Sequence, residues 1–231
     1  MTEQITGQLL SCVEVEPSKP ANATVIWLHG LGADGHDFEP VVPALKLPES
    51  LPVRFVFPNA PHQPVTVNGG MVMPAWYDIL EMSIERKIDV DGLLKSVQQI
   101  EALIQREIDR GIASDRIVLA GFSQGGAVAY HAALCYPKPL AGLMTLSTYM
   151  ATAELIEQQR SDVNRNIPVV IHHGTADDVV PISLGTQATE KLQQLGYHPQ
   201  WHSWPIDHGL CLEEVESIGE WLVRTLEMEI N

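Results

Sequence analysis

Residues 121 to 126 read Gly121-Phe122-Ser123-Gln124-Gly125-Gly126. They join an apolar run, Arg116-Ile-Val-Leu-Ala120, to a run of small residues, Ala127-Val-Ala-Tyr-His-Ala-Ala-Leu134. The first has the continuous apolar character of a strand buried on both faces, and the second that of a helix packed closely through small side chains. Glycine carries no Cβ and tolerates both positive φ and close backbone approach, so Gly121, Gly125 and Gly126 mark a tight turn between the two. A G-x-S-x-G sequence in that setting is the nucleophile elbow, a strained turn that exposes a serine hydroxyl at the end of a sheet. Ser123 is therefore the candidate nucleophile.

Outward from the elbow, strand-like and helix-like segments alternate. Thr24 to Leu28, Val53 to Phe57, Leu140 to Leu146, Pro168 to Ile171 and Pro199 to Trp204 read as strands, beside Arg116 to Ala120. The clearest helix runs from about Asp91 to Asp109, where Leu93, Val97, Ile100, Leu103, Ile104 and Ile108 recur at three- and four-residue spacing and Gly111 closes the run. Further helices are expected at Gly125 to Leu134, Ala153 to Arg160, Ser183 to Leu195 and Glu213 to Met228. Leu9 to Val15 reads as a strand forming a hairpin with Thr24 to Leu28. This alternation implies an α/β fold, a mostly parallel sheet with helices on both faces, and places binding at the carboxyl ends of the strands. One domain spanning 1–231 is the economical expectation at this length.

The composition, 45% hydrophobic and 19% charged, supplies enough apolar matter for a substantial core. The start, MTEQITGQLLSCVEVEP, shows no basic segment followed by an apolar one, and no window approaches 18 consecutive apolar residues, so a soluble, cytoplasmic protein is expected. Cys12, Cys135 and Cys211 are odd in number and far apart, which argues against a disulfide framework. A formal net charge of −15 repels phosphate backbones and anionic headgroups, so nucleic acid is not an expected partner and membrane contact is at most peripheral.

A serine hydroxyl needs a base to take its proton, and an elbow serine is followed in chain order by an Asp or Glu and then a His. Asp177 and Asp178 follow the apolar strand ending near Ile171, and both remain candidates at this point. His172 and His173 come too early and read as structural, while His198 and His202 fall beside or within the last strand. His208, in Trp204-Pro-Ile-Asp-His-Gly-Leu210, sits in a loop beyond that strand and is the better base. An oxyanion would need two N–H donors, one from Gln124 after the nucleophile and one from the Leu28-His-Gly-Leu-Gly-Ala-Asp-Gly35 loop. Gly30, Gly32 and Gly35 match a bare G-x-G-x-x-G, but no acidic residue about twenty positions on ends a second strand, so a dinucleotide site is not indicated.

About thirty residues separate the Val53 to Phe57 strand from the Asp91 helix, far more than the roughly six usual in compact domains. Val65 to Val67 and Met71 to Met73, around Asn68-Gly-Gly70, suggest a small hairpin. Met71, Met73, Trp76, Tyr77, Ile79, Leu80 and Met82 supply apolar surface, read either as a cap on the core or as a wall for an acyl chain. The loop from Met71 to Met82 leaves three uses open: a homodimer contact, a lipid surface, or the substrate alone.

Taken together, LHGLGADGHDF (28–38), FPNAP (57–61), GGMVMPAWYDI (69–79), RIVLAGFSQGGAVA (116–129), HHGTADDVVP (172–181) and Asp207-His208-Gly209 make the chain resemble the phospholipase/carboxylesterase family, which includes acyl-protein thioesterases and small bacterial carboxylesterases. The resemblance implies a compact α/β-hydrolase fold without a large cap, with Ser123 as nucleophile, Asp177 as acid, His208 as base, and the Leu31 and Gln124 amides as oxyanion donors. It implies no metal and no organic cofactor, and the sequence has no H-E-x-x-H and no clustered Cys/His ligands. The expected activity is hydrolysis of carboxylic esters through an acyl-enzyme. Alternatives are action on fatty acyl chains, as a protein thioesterase or lysophospholipase, and, more remotely, a silent ligand-binding module. Met71, Met73, Trp76 and Tyr77 are the candidate substrate groove, and Asp78 is expected to brace that loop. The stretch Asp78 to Asp91 departs from the family by carrying no distinctive motif.

Overall fold

The computed structural model describes residues 9–81 and 87–227; Met82, assigned above to the apolar loop, and Met228, assigned to the last helix, lie outside them. The elements in chain order are β1 (Cys12–Val15), β2 (Ala23–Leu28), β3 (Val53–Pro58), β4 (His62–Val65), β5 (Met71–Pro74), α1 (Val90–Asp109), β6 (Ile117–Phe122), α2 (Gln124–Cys135), β7 (Gly142–Leu146), α3 (Ala153–Gln159), β8 (Val169–Gly174), α4 (Ile182–Gln194), β9 (Gln200–Trp204) and α5 (Leu212–Glu227). Seven strands form one sheet in the order β1-β3-β2-β6-β7-β8-β9. Every neighbouring pair is parallel except β1 with β3.

The sheet separates two cores. Ile26, Leu28, Leu119 and Ile171 face one side, with Leu93, Ile100 and Ile104 of α1 and the small residues of α2. Val25, Trp27, Val118, Ala120 and Val170 face the other, against Ile218, Trp221 and Leu222 of α5. Successive side chains of a strand point to opposite faces, so a strand buried on both must be apolar throughout, and this is why β2 and β6 carry unbroken apolar runs. Among the described residues no helix is long and apolar enough to cross a membrane.

The expected hairpin of the first strand with β2 does not form. Strand β1 instead pairs antiparallel with β3, Cys12 opposite Pro58 and Val15 opposite Phe55. Both edges of β2 are already taken by β3 and β6, so the open edge of β3 is the one that β1 can reach. The small hairpin of the long excursion does form, between β4 and β5, with Val65 opposite Met71. Its first arm lies three residues earlier than the sequence suggests, because Thr66–Asn68 take a 3-10 turn that ends in Gly69 and Gly70 at φ of +67° and +77°.

At the amino ends of the parallel strands, α1 delivers a buried carboxylate. Glu107 continues the apolar stripe Leu93, Val97, Ile100, Ile104 and has no solvent exposure. It accepts from Arg54 and Arg110 and from Arg106 at 2.9 Å, and from the Thr24 hydroxyl at 3.1 Å. The same arginines reach Glu14 and Glu16 on and beside β1, completing a network of three cations and three anions. Burial alone would raise the Glu107 carboxyl, but the surrounding guanidinium groups hold it below the usual carboxylate range.

Glu214, in the first turn of α5, is buried without such partners. Neither carboxylate oxygen accepts a well-formed hydrogen bond from the described residues, and burial pushes the carboxyl up to about 8 against a weaker opposing pull from the Cys211 N–H.

Candidate active site

The sheet reverses direction of growth between β2 and β6, since β3 is added on one side and β7 on the other. Loops leaving the carboxyl ends of strands at such a point diverge and leave a crevice between them. The loop after β2 carries His29 to Gly35, and the turn after β6 carries Ser123.

Of the two properties expected of the elbow glycines, the fold uses close approach and not positive φ. None of Gly121, Gly125 and Gly126 has positive φ; Ser123 itself does, at φ +53° and ψ −122°. The glycines are needed for space. A Cβ on Gly121 would collide with the Gly125 carbonyl, one on Gly125 would stand 2.5 Å from the His29 carbonyl, and one on Gly126 would stand 2.5 Å from the Thr148 methyl. A non-glycine residue in such a region costs on the order of 1–3 kcal/mol, so surrounding contacts must hold it there. The Ser123 N–H donates to the Leu146 carbonyl at 2.9 Å, and the Ser123 carbonyl accepts from the Gly126 N–H at 3.0 Å and from the Thr148 hydroxyl.

His208 and Asp177 arrive on two loops stitched to each other. The Thr175 N–H donates to the Trp204 carbonyl at 2.7 Å and the Ala176 N–H to the Ile206 carbonyl at 3.0 Å. Gly174 makes this possible, because a Cβ there would strike the Ile206 and Asp207 carbonyls. His208 Nε2 lies 3.0 Å from Ser123 Oγ, and His208 Nδ1 lies 2.7 Å from Asp177 Oδ2. The ring rests on Phe122, with centroids 4.7 Å apart.

Asp177 is the acid that the fold turns inward, while Asp178 is exposed. Its Oδ1 accepts from the Val179 and Val180 N–H groups at 3.0 and 2.8 Å, which fixes the carboxylate plane toward the histidine. Burial works to raise its pKa, yet the His208 hydrogen bond, the Val180 N–H and the neighbouring histidines outweigh it and keep the carboxyl below its ordinary value. The group therefore stays an acceptor for the Nδ1–H of His208 and orients the other nitrogen toward the hydroxyl.

The remaining histidines near the site are engaged elsewhere. His172 lies within β8, accepts at Nδ1 from the Trp204 indole N–H at 3.0 Å, and is pushed down to about 3 by burial and by His202. His173 donates through Nε2 to the Val180 carbonyl at 2.8 Å and backs the acid loop, its Nε2 3.7 Å from Asp177 Oδ2.

Leu31 follows Gly30 in the loop after β2, and Gln124 follows Ser123 at the start of α2. Gly30 brings the β2 loop so close that a Cβ there would sit 3.4 Å from the Ser123 Cβ. Gln124 opens α2, where the first N–H groups have no partner within the helix and the helix dipole favours negative charge. Neither the Leu31 nor the Gln124 N–H donates to another described residue.

The four groove candidates separate. Met73 lies over the β2 loop, its sulfur 3.8 Å from where a Gly32 Cβ would be, and Met71 stands near the hairpin tip, 63% exposed beside Val72 at 61%. Trp76 and Tyr77, at 1% and 0% exposed, are core residues and cannot form a groove wall. Past Pro74 the chain turns from the exposed hairpin into the core, where the Tyr77 hydroxyl meets that of Tyr149 at 2.7 Å. Asp78 accepts from the Thr66 N–H and hydroxyl at 2.7 and 2.6 Å and so clamps the base of the hairpin. Sequence reasoning missed the Gln124 side chain, whose carbonyl accepts the Trp76 N–H at 2.8 Å and whose amide donates to the Tyr77 carbonyl at 2.6 Å. The signal was a long amide side chain where the close packing of the elbow leaves room only for a buried one. Among the described residues, no group of three or more His, Cys, Asp or Glu is placed to hold a metal ion.

A family model described as Phospholipase/Carboxylesterase matches residues 11–226. Acyl-protein thioesterase 1 of Neurospora crassa is 40% identical over 215 residues, which cover 88% of this chain and 87% of that protein. A probable carboxylesterase of Oryza sativa subsp. japonica is 36% identical over 206 residues, covering 88% and 77%. Among solved structures, Arabidopsis thaliana SOBER1 superposes with a TM-score of 0.85 at 32% identity, covering 90% of this chain and all of that one. With the sheet order, the elbow and the hydrogen-bonded line from Ser123 to Asp177 already in hand, these likenesses show that the chain belongs to the phospholipase/carboxylesterase family of α/β-hydrolases.

Proposed function

We propose that the protein hydrolyses carboxylic esters and thioesters by two acyl transfers through Ser123. The observation that carries this is the continuous line Ser123 Oγ, His208, Asp177, with contacts of 3.0 and 2.7 Å. His208 takes the hydroxyl proton as Ser123 Oγ attacks the acyl carbon, and the negative charge moving to the carbonyl oxygen meets the Leu31 and Gln124 N–H groups. The C–O or C–S bond then breaks, and His208 returns its proton to the leaving alcohol or thiol. Water, deprotonated by the same histidine, attacks the acyl-serine and releases the acid. Asp177 stays ionised throughout and supports the imidazolium.

A fatty acyl chain is a second reading, favoured by the exposed Met71 and Val72 beside Met73 and by relatives named acyl-protein thioesterases. Hydrolysis of p-nitrophenyl esters from acetate to palmitate, with intact-mass detection of a fluorophosphonate adduct, tests both. Wild type should turn over and take one adduct, while Ser123→Ala should take none and lose on the order of 10⁶ in kcat. A folded Ser123→Ala protein with near-normal turnover would end the assignment. A length profile peaking at acetate would end the fatty acyl reading alone.

A further inference from the structure

Building on the hydrolase reading above, we propose that the His29 imidazole is a positioning residue: it fixes the plane of the Gly30–Leu31 peptide and thereby aims the Leu31 N–H at the developing oxyanion. His29 directly follows β2 and is buried. Its Nδ1 lies 2.7 Å from the Gly30 carbonyl oxygen, and its Nε2 lies 3.1 Å from the Ala60 nitrogen. An amide N–H can only donate, so Nε2 must be the bare, accepting nitrogen. The proton then sits on Nδ1, which donates to the Gly30 carbonyl. One neutral tautomer satisfies both contacts.

The accepting oxygen belongs to the same peptide unit as the Leu31 N–H. That unit is planar and trans, so its C=O and N–H point in opposite directions, and fixing one fixes the other. This restraint falls where it is most needed. Gly30 and Gly32, the latter at φ +78°, flank Leu31, and glycines let a peptide rotate about its flanking bonds, so beside the longer 3.3 Å contact from the Ala33 N–H the 2.7 Å imidazole contact is the shorter restraint on the Gly30 carbonyl. A flip of this unit would replace a donor with a carbonyl oxygen at the point where negative charge accumulates.

His29 is held in turn by the long excursion. Its carbonyl accepts the Trp76 indole N–H at 2.8 Å, and the two rings lie 5.2 Å apart. The Gly32 N–H donates to the Pro74 carbonyl at 2.8 Å. Trp76 also donates its backbone N–H to the Gln124 side chain, so the same buried segment secures the loops bearing both amides. The excursion, whatever else it does, is the frame from which the two donors are aimed.

The test compares three substitutions on a p-nitrophenyl ester and on a trifluoromethyl ketone, which adds to the serine to give a tetrahedral oxyanion. His29→Asn places an amide N–H near the former Nδ1, His29→Gln carries its amide out to the former Nε2, where its carbonyl can take the Ala60 N–H, and His29→Ala removes both contacts. His29→Ala and His29→Gln should lose about a hundredfold in kcat with KM little changed, and should lose ketone affinity in proportion. His29→Asn should recover most of both losses. The proposal is overturned if the three variants lose alike, if KM rises while kcat holds, or if kcat falls with ketone affinity intact. Should the variants not fold, the ring ¹⁵N shifts of His29 in the wild type decide: a proton on Nε2 overturns the proposal, and one on Nδ1 supports it. A wild type that takes no fluorophosphonate adduct would instead sink the hydrolase reading itself, so the two failures are separable.

Discussion

The two ends of the central sheet use similar polar groups to opposite effect. At the amino ends of the strands, Arg54, Arg106 and Arg110 meet Glu14, Glu16 and Glu107 with every ion pair between 2.7 and 2.9 Å. The charges balance and saturate one another, and they tie α1 to the antiparallel edge strand β1. At the carboxyl ends, Ser123 is held at an unfavourable φ, and the Leu31 and Gln124 N–H groups are left without a described partner. Saturated groups make a rigid joint, because removing one exposes the desolvation cost of the others. Unsaturated, preorganised groups make a reactive site, because their partner forms only during the reaction.

If this division holds, changes at one end should alter rate and changes at the other should alter stability. Of the changes that leave the nucleophile in place, Asp177→Asn should have the largest effect: kcat should fall about 10⁴-fold as His208 loses its orienting acceptor, with the thermal midpoint nearly unchanged. Steady-state kinetics beside calorimetry will show it, and a collapse of the fold would blur the comparison. Glu107→Ala should do the reverse, leaving three guanidinium groups around an empty buried position at a cost of about 3–5 kcal/mol in urea unfolding. Turnover per folded molecule should stay near wild type; a large drop in kcat would mean that the two ends are coupled. Glu214 gives the smallest and most conditional effect. Its carboxyl keeps its proton up to about 8 in the fold, against an ordinary value of 4.5, so the native state binds that proton more tightly than the unfolded chain. Its stabilising contribution is full below the unfolded value and declines as pH rises through about 8, by a total on the order of a few kcal/mol. Glu214→Gln should flatten this slope, so that midpoints measured at pH 6 and pH 9 lie closer together than in wild type.

What the sequence disclosed follows from where information is local. Helix α1 was legible because its stripe from Leu93 to Ile104 repeats at helical spacing and because Gly111, at φ +96°, ends it. Ser123 and His208, with an acid at Asp177 or Asp178, could be brought together on paper because each follows a strand and strands of a parallel sheet deliver their loops to one end, while the choice of Asp177 came from the family resemblance. The partner of β1 was not legible, since pairing depends on which edges other strands have already taken. Trp76 and Tyr77 stayed open between cap and groove wall, because an apolar pair in a long loop looks the same whether it lines a groove or plugs the core beneath it. Glu107 did leave a trace: a carboxylate in the register of an apolar stripe needs buried cations, and Arg106 and Arg110 stand within a turn of it. His29 left less, as nothing in a His-Gly pair says which nitrogen meets which backbone group.

The backbone of Ser123 has a consequence for anyone who would engineer this protein. A φ of +53° with ψ of −122° suits glycine, so Ser123→Gly should yield a more robust molecule than Ser123→Ala, and an inert one. Stability-guided redesign, left to itself, would choose that glycine and erase the chemistry. On the proposed mechanism, the best residue for the fold and the best residue for the reaction differ at this position.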